Sequence, residues 1–516
     1  MEQLLSRILD ALPEKTVKNM QNLVIRGLSY DSRHISKDFL YFALPGIHVD
    51  GHAFVEQAID KGAVCVVHQH ELPNYRNKVI YVRVPDSRIA MAPVSAAFWD
   101  NPSANLVTIG ITGTEGKSTM VSLVSQLLNL SGRKAGFIST VEYKVGEEIL
   151  PNPEHQTTPE ATTIQEKLDA MRRNGMEYAV LESSSHGLSK LMNRLGNVNF
   201  DVGLMTNVRH EHMEFHKTWE NYRNDKANLF RALAKTTKTK TIGDKRLTIP
   251  SFGVVCADDP SASFFADCAE VPVYSYSARS SEALCRAENV QVDEHGSSFV
   301  LCYGSDRLQT RINLPGAFNV ENALGAFLLV QKLTGFQPEL LALYMEKFAP
   351  VKGRMTRIVK GQPYEVIVDY AHTPSSFEAI LPSLRAQTKG KLICVFGSGG
   401  ERDTQKRPEQ GRIACEYCDY VILSDEDPRG ENPMALLEDI AAGCASHIRG
   451  TSLFLMPDRA LGIRKALSLA APGSTVVLLG KGHENTIIYK ERVIPWDEIT
   501  EAGKALEELG YKKGVQ

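Results

Sequence analysis

Apolar positions along this chain fall into two alternating patterns. Short continuous runs such as NLVTI, EYAVLE, FDVGLM, YEVIVD, KLICVF, DYVIL and STVVLL have no polar alternation, which predicts strands buried on both faces of a sheet. Between them lie segments with helical spacing. In MVSLVSQLLNL the residues Met120, Leu123, Val124, Leu127 and Leu128 share one face, which predicts a helix from near Lys117 that Gly132 can stop. This alternation predicts an α/β fold built on mostly parallel sheets.

The pattern divides into three blocks. The first, 1–105, contains LSYDSRHISKDFLYFALPGIHVDGHAFVEQAIDKGAVCVV and ends at the polar, proline-containing WDNPSAN. The second, 106–347, closes near LALYMEKFAPVKGR, where a helix meets proline and glycine. The third, 348–516, holds four strands that each run into glycine or charge: VDYAH, VFGSGG, LSDEDP and LLGKGHE. In open parallel sheets ligands bind beyond the strands' C-terminal ends, so this repetition predicts a cleft. The opening MEQLLSRILDALPEK carries acids inside its apolar pattern and reads as an amphipathic helix, not a signal peptide.

Composition narrows the class without naming it. The 516 residues are 43 % apolar with a net charge of −3, ordinary for a soluble protein and unlike a nucleic-acid binder. No run is long enough to span a bilayer. Nine cysteines without framework spacing point to reduced thiols and a cytoplasmic location. The lone C-x-x-C pair, Cys415 and Cys418, reads as two small residues on a helix packed before DYVIL.

Candidate chemistry concentrates in GITGTEGKST, residues 110–119. It follows an apolar strand and opens the helical pattern, as a phosphate-binding loop does. Yet the usual G-x-x-x-x-G-K-[ST] would place a glycine where Ile111 stands. Gly113 and Gly116 permit a tight turn whose N–H groups meet phosphate oxygens, and the helix start adds the positive end of its dipole. Lys117 would reach the terminal phosphates, and Ser118 would help hold magnesium with an acid from a neighbouring strand end, for which Glu182 is the candidate. His210, His212 and His216 in NVRHEHMEFH are compatible both with a zinc site and with a polar loop; H-E-x-x-H is absent.

The shortened loop GTEGKST resembles that of the Mur ligases, ATP-dependent enzymes that add amino acids to the peptidoglycan precursor. Further matching stretches follow in the family's order: TTP, LESSSHGL, TNVRHEHMEFH, YRNDKANLF, LPGAFNVENAL, GRM, VDYAHTP, VFGSGGERDTQKRP, DPRGENP and GKGHE. The resemblance implies a three-domain Mur ligase architecture: a domain binding the UDP-sugar, a central P-loop ATPase sheet and a C-terminal Rossmann-like domain binding the amino acid. DSR followed by DGHAFVEQAIDKGA resembles the branch that couples a diamino acid to UDP-MurNAc-L-Ala-D-Glu. It further implies an acyl-phosphate intermediate, ATP and Mg²⁺ as cofactors, a monomer, and small-molecule substrates without nucleic-acid or membrane partners.

Residue roles carried over from the resemblance are as follows. Lys117, Glu182, His212 and Lys226 are catalytic, with Lys226 carbamylated to N6-carboxylysine. ATP is met by Gly113, Thr114, Glu115, Gly116, Lys117, Ser118, Thr119, Asn319, Asn322, Arg354 and Asp369; the metal by Ser118, Glu182 and His212. The nucleotide sugar is met by Ser32, His52, Thr157, Thr158, Ser184 and Arg194, although SSSHGLSKLMNR is about two residues longer than the family spacing, which leaves Lys190 as the alternative to Arg194. The incoming amino acid is met by Arg402, Asp427, Arg429, Gly480 and Glu484. The family's D-N-P-R becomes Glu426, Asp427, Pro428 and Arg429 here; Asp427 in place of asparagine should repel a second carboxylate, leaving lysine, ornithine and meso-diaminopimelate all open. Alternatives are another ligase of the family, of the D-Ala-D-Ala-adding or folylpolyglutamate type, a P-loop kinase or GTPase (for which N-K-x-D is missing), or a silent nucleotide-binding scaffold.

Overall fold

The computed structural model describes residues 1–46, 49–154, 156–233, 238–293 and 295–512. Among the described residues, three sheets each carry helices on both faces. The first sheet orders its strands Thr16–Lys18, Ile80–Arg83, Ala63–His68, Phe39–Phe42 and Gly27–Ser29, with only Thr16–Lys18 antiparallel. One face packs on helix Ser87–Phe98 and the other on helix Val55–Asp60.

The central sheet is larger. Its parallel part runs Ala135–Ile138, Tyr178–Glu182, Val107–Thr112, Val202–Met205, Phe252–Cys256 and Val273–Ser277. An antiparallel meander, Cys285–Asp293, Gly296–Tyr303 and Asp306–Ile312, extends one edge. Strand Val107–Thr112 is buried at every residue, as its unbroken apolar run requires. Helices Lys117–Leu130 and Ala317–Thr334 cover one face, and Ala161–Arg173 with Trp219–Arg231 cover the other. The third sheet is parallel except at Thr356–Arg357, in the order Thr356–Arg357, Glu365–Asp369, Thr475–Leu479, Leu392–Phe396, Tyr420–Leu423 and Leu453–Leu455. Cys415 and Cys418 lie at the end of helix Lys406–Tyr417, buried just before strand Tyr420–Leu423.

Two features differ from the pattern reading. The N-terminal segment is a strand, Gln3–Leu4, then only a short helix, Leu5–Leu9. Pairing of Gln3–Leu4 with Val24–Ile25 claims the first residues, and Pro13 cannot extend the helix. A hairpin, Lys238–Ile242 with Lys245–Ile249, was not visible as a unit. Its buried Lys240 donates to the carbonyls of Ser103, Leu106 and Asn199 and pairs with Asp201 at 2.6 Å. That contact pins the linker between the first and central sheets. No described helix is long and apolar enough to cross a membrane.

Candidate active site

The phosphate loop leaves strand Val107–Thr112 at the mouth of the central sheet. Gly113 (φ 149°) and Gly116 (φ 79°) take backbone conformations that side chains resist. A Cβ on Gly113 would lie 1.9 Å from Thr206 Oγ1, so the loop can pass there only as glycine. Asn207 holds the turn: its carbonyl accepts from Thr114 N at 2.8 Å and its Oδ1 from Glu115 N at 2.9 Å. Lys117 folds back onto the Thr114 carbonyl at 2.7 Å. Ser118 Oγ donates to Glu182 Oε2 at 2.9 Å, and Thr140 N donates to the same oxygen at 2.8 Å. Strand register explains the meeting, because Glu182 pairs with Ile111 beside the loop. Two hard oxygen donors at this distance suit magnesium.

Lys226, on helix Trp219–Arg231, is 2 % exposed and donates to the Gly113 carbonyl at 2.6 Å. Burial, then the charge of Lys117, holds its amine well below the ordinary lysine value, against the pull of Glu211, Glu115 and Glu182. An amine kept neutral is the form that can add carbon dioxide. His212 (φ 58°) precedes the short helix Met213–His216; its Nε2 is 3.6 Å from Glu211 Oε1, and its ring lies 4.9 Å from that of His186. His210 stacks on Trp219, and His216 bridges Asp225 at 2.8 Å and Ser185 at 3.0 Å. The three histidines thus serve different neighbours.

The third domain closes over this mouth. Thr373, which caps helix Pro374–Gln387, donates to Glu115 Oε1 at 2.7 Å. Arg354 lies 3.4 Å from Ser118 Oγ, with its guanidinium over the Tyr370 ring at 4.7 Å. Asp369 accepts from Met355 N and Ala371 N, both at 2.7 Å, which fixes the turn carrying Arg354. Burial raises its carboxyl above the usual range, and Arg354 opposes that. His372 lies 3.4 Å from Glu211 across the domain boundary. Burial alone would lower its imidazole, but the contact with Glu211 raises it above the usual value. Burial would likewise raise Glu211, yet His212, His372 and Lys117 hold it well below the carboxylate range.

Two cavities meet at this boundary. The first, about 110 Å³, is lined by Glu115, Gly116, Thr119, Asn319, Asn322, Arg354 and Asp369. Its walls include Leu123, Leu314, Phe318, Val351 and Ile380, apolar surface suited to a flat base. Asn319 is itself anchored to the Pro315 carbonyl at 2.8 Å. The second, about 400 Å³, gathers Thr157, Glu211, His212, Tyr370, His372, Arg402, Lys406, Glu426, Asp427, Arg429 and Glu484. There Lys481, fully buried, lies 3.0 Å from Asp427 Oδ1 and 2.5 Å from Glu484 Oε2. Asp427 also accepts from Ile488 N at 2.9 Å. Lys481 therefore offsets part of the Asp427 charge, a single cation shared with Glu484. Glu426 is buried with Oε2 lacking a hydrogen-bond partner; a Cβ on Gly480 (φ 99°) would come within 2.7 Å of that oxygen.

A third cleft, about 670 Å³, separates the first and central domains and is lined by Ser29, Tyr30, Asp31, His34, Glu154 and Thr162 among others. Ser32 and His52 are not on this wall. Ser32 donates to Gln57 at 2.7 Å, and His52 binds Asp50 at 2.6 Å while accepting from Gln69 N at 3.2 Å. Thr158 is an internal hub: its hydroxyl donates to the Glu182 carbonyl and accepts from Ser184 N, each at 2.9 Å. Ser184 caps the helix Ser185–Leu188. Arg194 is buried, donating to Thr158 O at 3.0 Å and Glu160 at 2.8 Å, whereas Lys190 is exposed on a separate cleft beside His216 and Asp225. A further small cavity, about 110 Å³, lies between them, sharing Glu154 with the third cleft and Thr157, Tyr370 and Glu484 with the second.

Sequence reasoning passed over Lys481, Tyr370, His372 and Glu211 as site residues. All sit inside motifs it quoted, GKGHE, VDYAH and NVRHEH, but the His372–Glu211 contact crosses the domain boundary and the partners of Lys481 and Tyr370 include residues far along the chain.

Comparison with known proteins resolves the lineage. Residues 24–99 match the Mur ligase family catalytic domain, 111–330 the Mur ligase middle domain, and 353–482 the Mur ligase glutamate ligase domain. The chain belongs to the Mur ligase family. Among curated relatives it is 49 % identical over 496 residues to a UDP-N-acetylmuramyl-tripeptide synthetase of Treponema denticola, covering 93 % of this chain and 92 % of that one. It is 43 % identical over 510 residues to the enzyme of that name from a Roseiflexus species, covering 98 % and 99 %. A 2,6-diaminopimelate ligase of Geobacillus kaustophilus is 36 % identical over 505 residues, covering 98 % and 99 %. A solved UDP-N-acetylmuramoyl-L-alanyl-D-glutamate–2,6-diaminopimelate ligase superposes with TM-score 0.62 at 26 % identity, covering 98 % and 99 %. The fold is also that of a MurF ligase from Thermotoga maritima solved with ADP, with TM-score 0.66 at 16 % identity, covering 95 % and 100 %.

Proposed function

We propose that this chain is an ATP-dependent ligase of peptidoglycan synthesis that joins a diamino acid to UDP-MurNAc-L-Ala-D-Glu. The carrying observation is the arrangement of the cavities: the phosphate loop and an apolar-walled pocket lie at the same domain boundary as a charged pocket, and a small cavity shares lining residues with both that pocket and the cleft between the first and central domains. Names of relatives that span nearly the whole chain support the same reaction.

In this reading residues 1–105 bind the nucleotide sugar, 106–347 bind ATP, and 348–516 bind the amino acid. The substrate's terminal carboxylate takes the γ-phosphoryl group of ATP, the acceptor amine attacks the acyl phosphate, and phosphate leaves. Loop N–H groups, Lys117 and Arg354 neutralise the phosphates, which is most of what phosphoryl transfer asks of a protein. Ser118, Glu182 and His212 would hold magnesium, which when bound supplies further charge neutralisation. Carboxylation of Lys226 would reverse the charge of a group already placed at the loop. Thr158 and Arg194 shape the sugar-peptide path, and Arg402, Arg429 and Glu484 receive the amino acid. Domain closure keeps water from the acyl phosphate. The enzyme would act in the cytoplasm as a monomer.

The test is incubation with UDP-MurNAc-L-Ala-D-Glu, ATP, magnesium and lysine, ornithine or meso-diaminopimelate, followed by mass analysis. One tripeptide product with stoichiometric phosphate is expected, and its mass identifies the amino acid. No product with any of the three would defeat the proposal.

A further inference from the structure

One cluster of metal-ligating side chains lies outside the machinery described above. Cys256 ends strand Phe252–Cys256, Asp258 follows two residues later, and Glu321 projects from helix Ala317–Thr334. One ligand atom from each lies within 4.8 Å of the other two. All three belong to the same sheet mouth as the phosphate loop, and Glu321 also lines the 110 Å³ cavity. Beside them Tyr276 is fully buried, and its hydroxyl has no hydrogen-bond partner. A buried hydroxyl left unpaired is costly, so it asks for a partner.

We propose that Cys256, Asp258 and Glu321, with the Tyr276 hydroxyl beside them, bind a thiophilic divalent cation, zinc by its chemistry, at the edge of the nucleotide cavity. Sulfur with carboxylate oxygens selects zinc over magnesium, which takes oxygen alone. Ligand atoms around a tetrahedral zinc stand roughly 3.3–3.8 Å apart, from bonds of about 2.0–2.3 Å. The cluster needs to contract by about 1 Å, within reach of side-chain rotation. Asp258 is already oriented for this, since Ser277 Oγ (2.6 Å) and Ala278 N (2.8 Å) hold its two oxygens.

The electrostatics agree with the geometry. Burial, and after it Glu321 and Asp258, raise the Cys256 thiol. Burial and Asp258 raise Glu321, against Cys256, Arg279 and Arg209. Burial, Cys256, Glu321 and Asp258 raise Tyr276 far above its usual value. Binding forms a zinc–sulfur bond and sends the thiol proton to solvent.

Cobalt(II) titration of the full-length protein tests this. The wild type should take up one equivalent with a near-ultraviolet thiolate-to-cobalt charge-transfer band, which zinc then displaces. The oxygen and nitrogen donors at Ser118, Glu182 and His212 cannot give that band. Cys256→Ala should lose the band and the zinc-induced rise in Tm; Asp258→Asn should keep the thiol but weaken cobalt binding tenfold or more. Absence of the band in the wild type, its survival in Cys256→Ala, or unchanged affinity in Asp258→Asn would each overturn the proposal. Should Cys256→Ala fail to fold, Asp258→Asn decides alone.

Discussion

The phosphate loop and the cleft between the first and central domains, the proposed nucleotide-sugar site, are built on opposite principles. The loop is made by one contiguous stretch, strand then glycines then helix, and Lys117, Ser118 and the N–H groups are held by bonds within it and to adjacent strands. The cleft is assembled from segments of the first domain and from the stretch around Thr158, with no single run supplying its wall. Local construction makes the first site rigid before any ligand arrives. Distributed construction ties the second to how two domains are held, through Lys240 and the linker.

The largest expected effect comes from the local site. Lys117→Ala should lower turnover by about 10³-fold or more while leaving KM for the nucleotide sugar within about twofold, because it removes charge met mainly in the transition state. Steady-state phosphate release measures both. A shared loss would join the two sites and break the comparison.

Next, Arg194→Ala should strike the cleft. Among the described residues it leaves Glu160, 4 % exposed, with the 3.4 Å contact to Arg88 as its one remaining cationic partner, which should cost about 3 kcal/mol of stability. KM for the nucleotide sugar should rise about tenfold with the ATP KM little changed, whereas Lys190→Ala should alter neither. Denaturant melts and initial rates distinguish the two residues.

Smaller effects test the boundary between domains. Thr373→Val removes a hydrogen bond to Glu115 worth about 1.5–3 kcal/mol, so ATP affinity should fall roughly tenfold, measured by calorimetry.

The smallest is a pH effect. His372 is raised above 6.5, so its pairing with Glu211 favours closure fully below that value and is lost as pH rises through the raised one. Glu211 is depressed below 4.5, so its share holds above that value and is lost as pH falls through the depressed one. Closure should therefore be firmest between the two, and Glu211→Gln should flatten the alkaline limb of a scattering-derived radius.

The same contrast explains what the sequence disclosed. Periodicity located the buried strands and helix Lys117–Leu130, because each is set by its own residues. The pairing of Glu182 with Ser118 followed from strand ends at one mouth. What stayed hidden depends on distant segments: Lys481 pairing with Asp427, Lys240 gripping the linker, and the His372–Glu211 contact. The N-terminal helix was overextended because a two-residue strand pairing leaves no periodic signal.

A crystal structure with a non-hydrolysable ATP analogue tests the central claim most directly. The account predicts the phosphates on the N–H groups of residues 113–118, with Lys117 and Arg354 turned to the terminal one and the base against Phe318 and Ile380. Phosphates bound away from that turn, or a third domain swung clear with Arg354 in solvent, would contradict it.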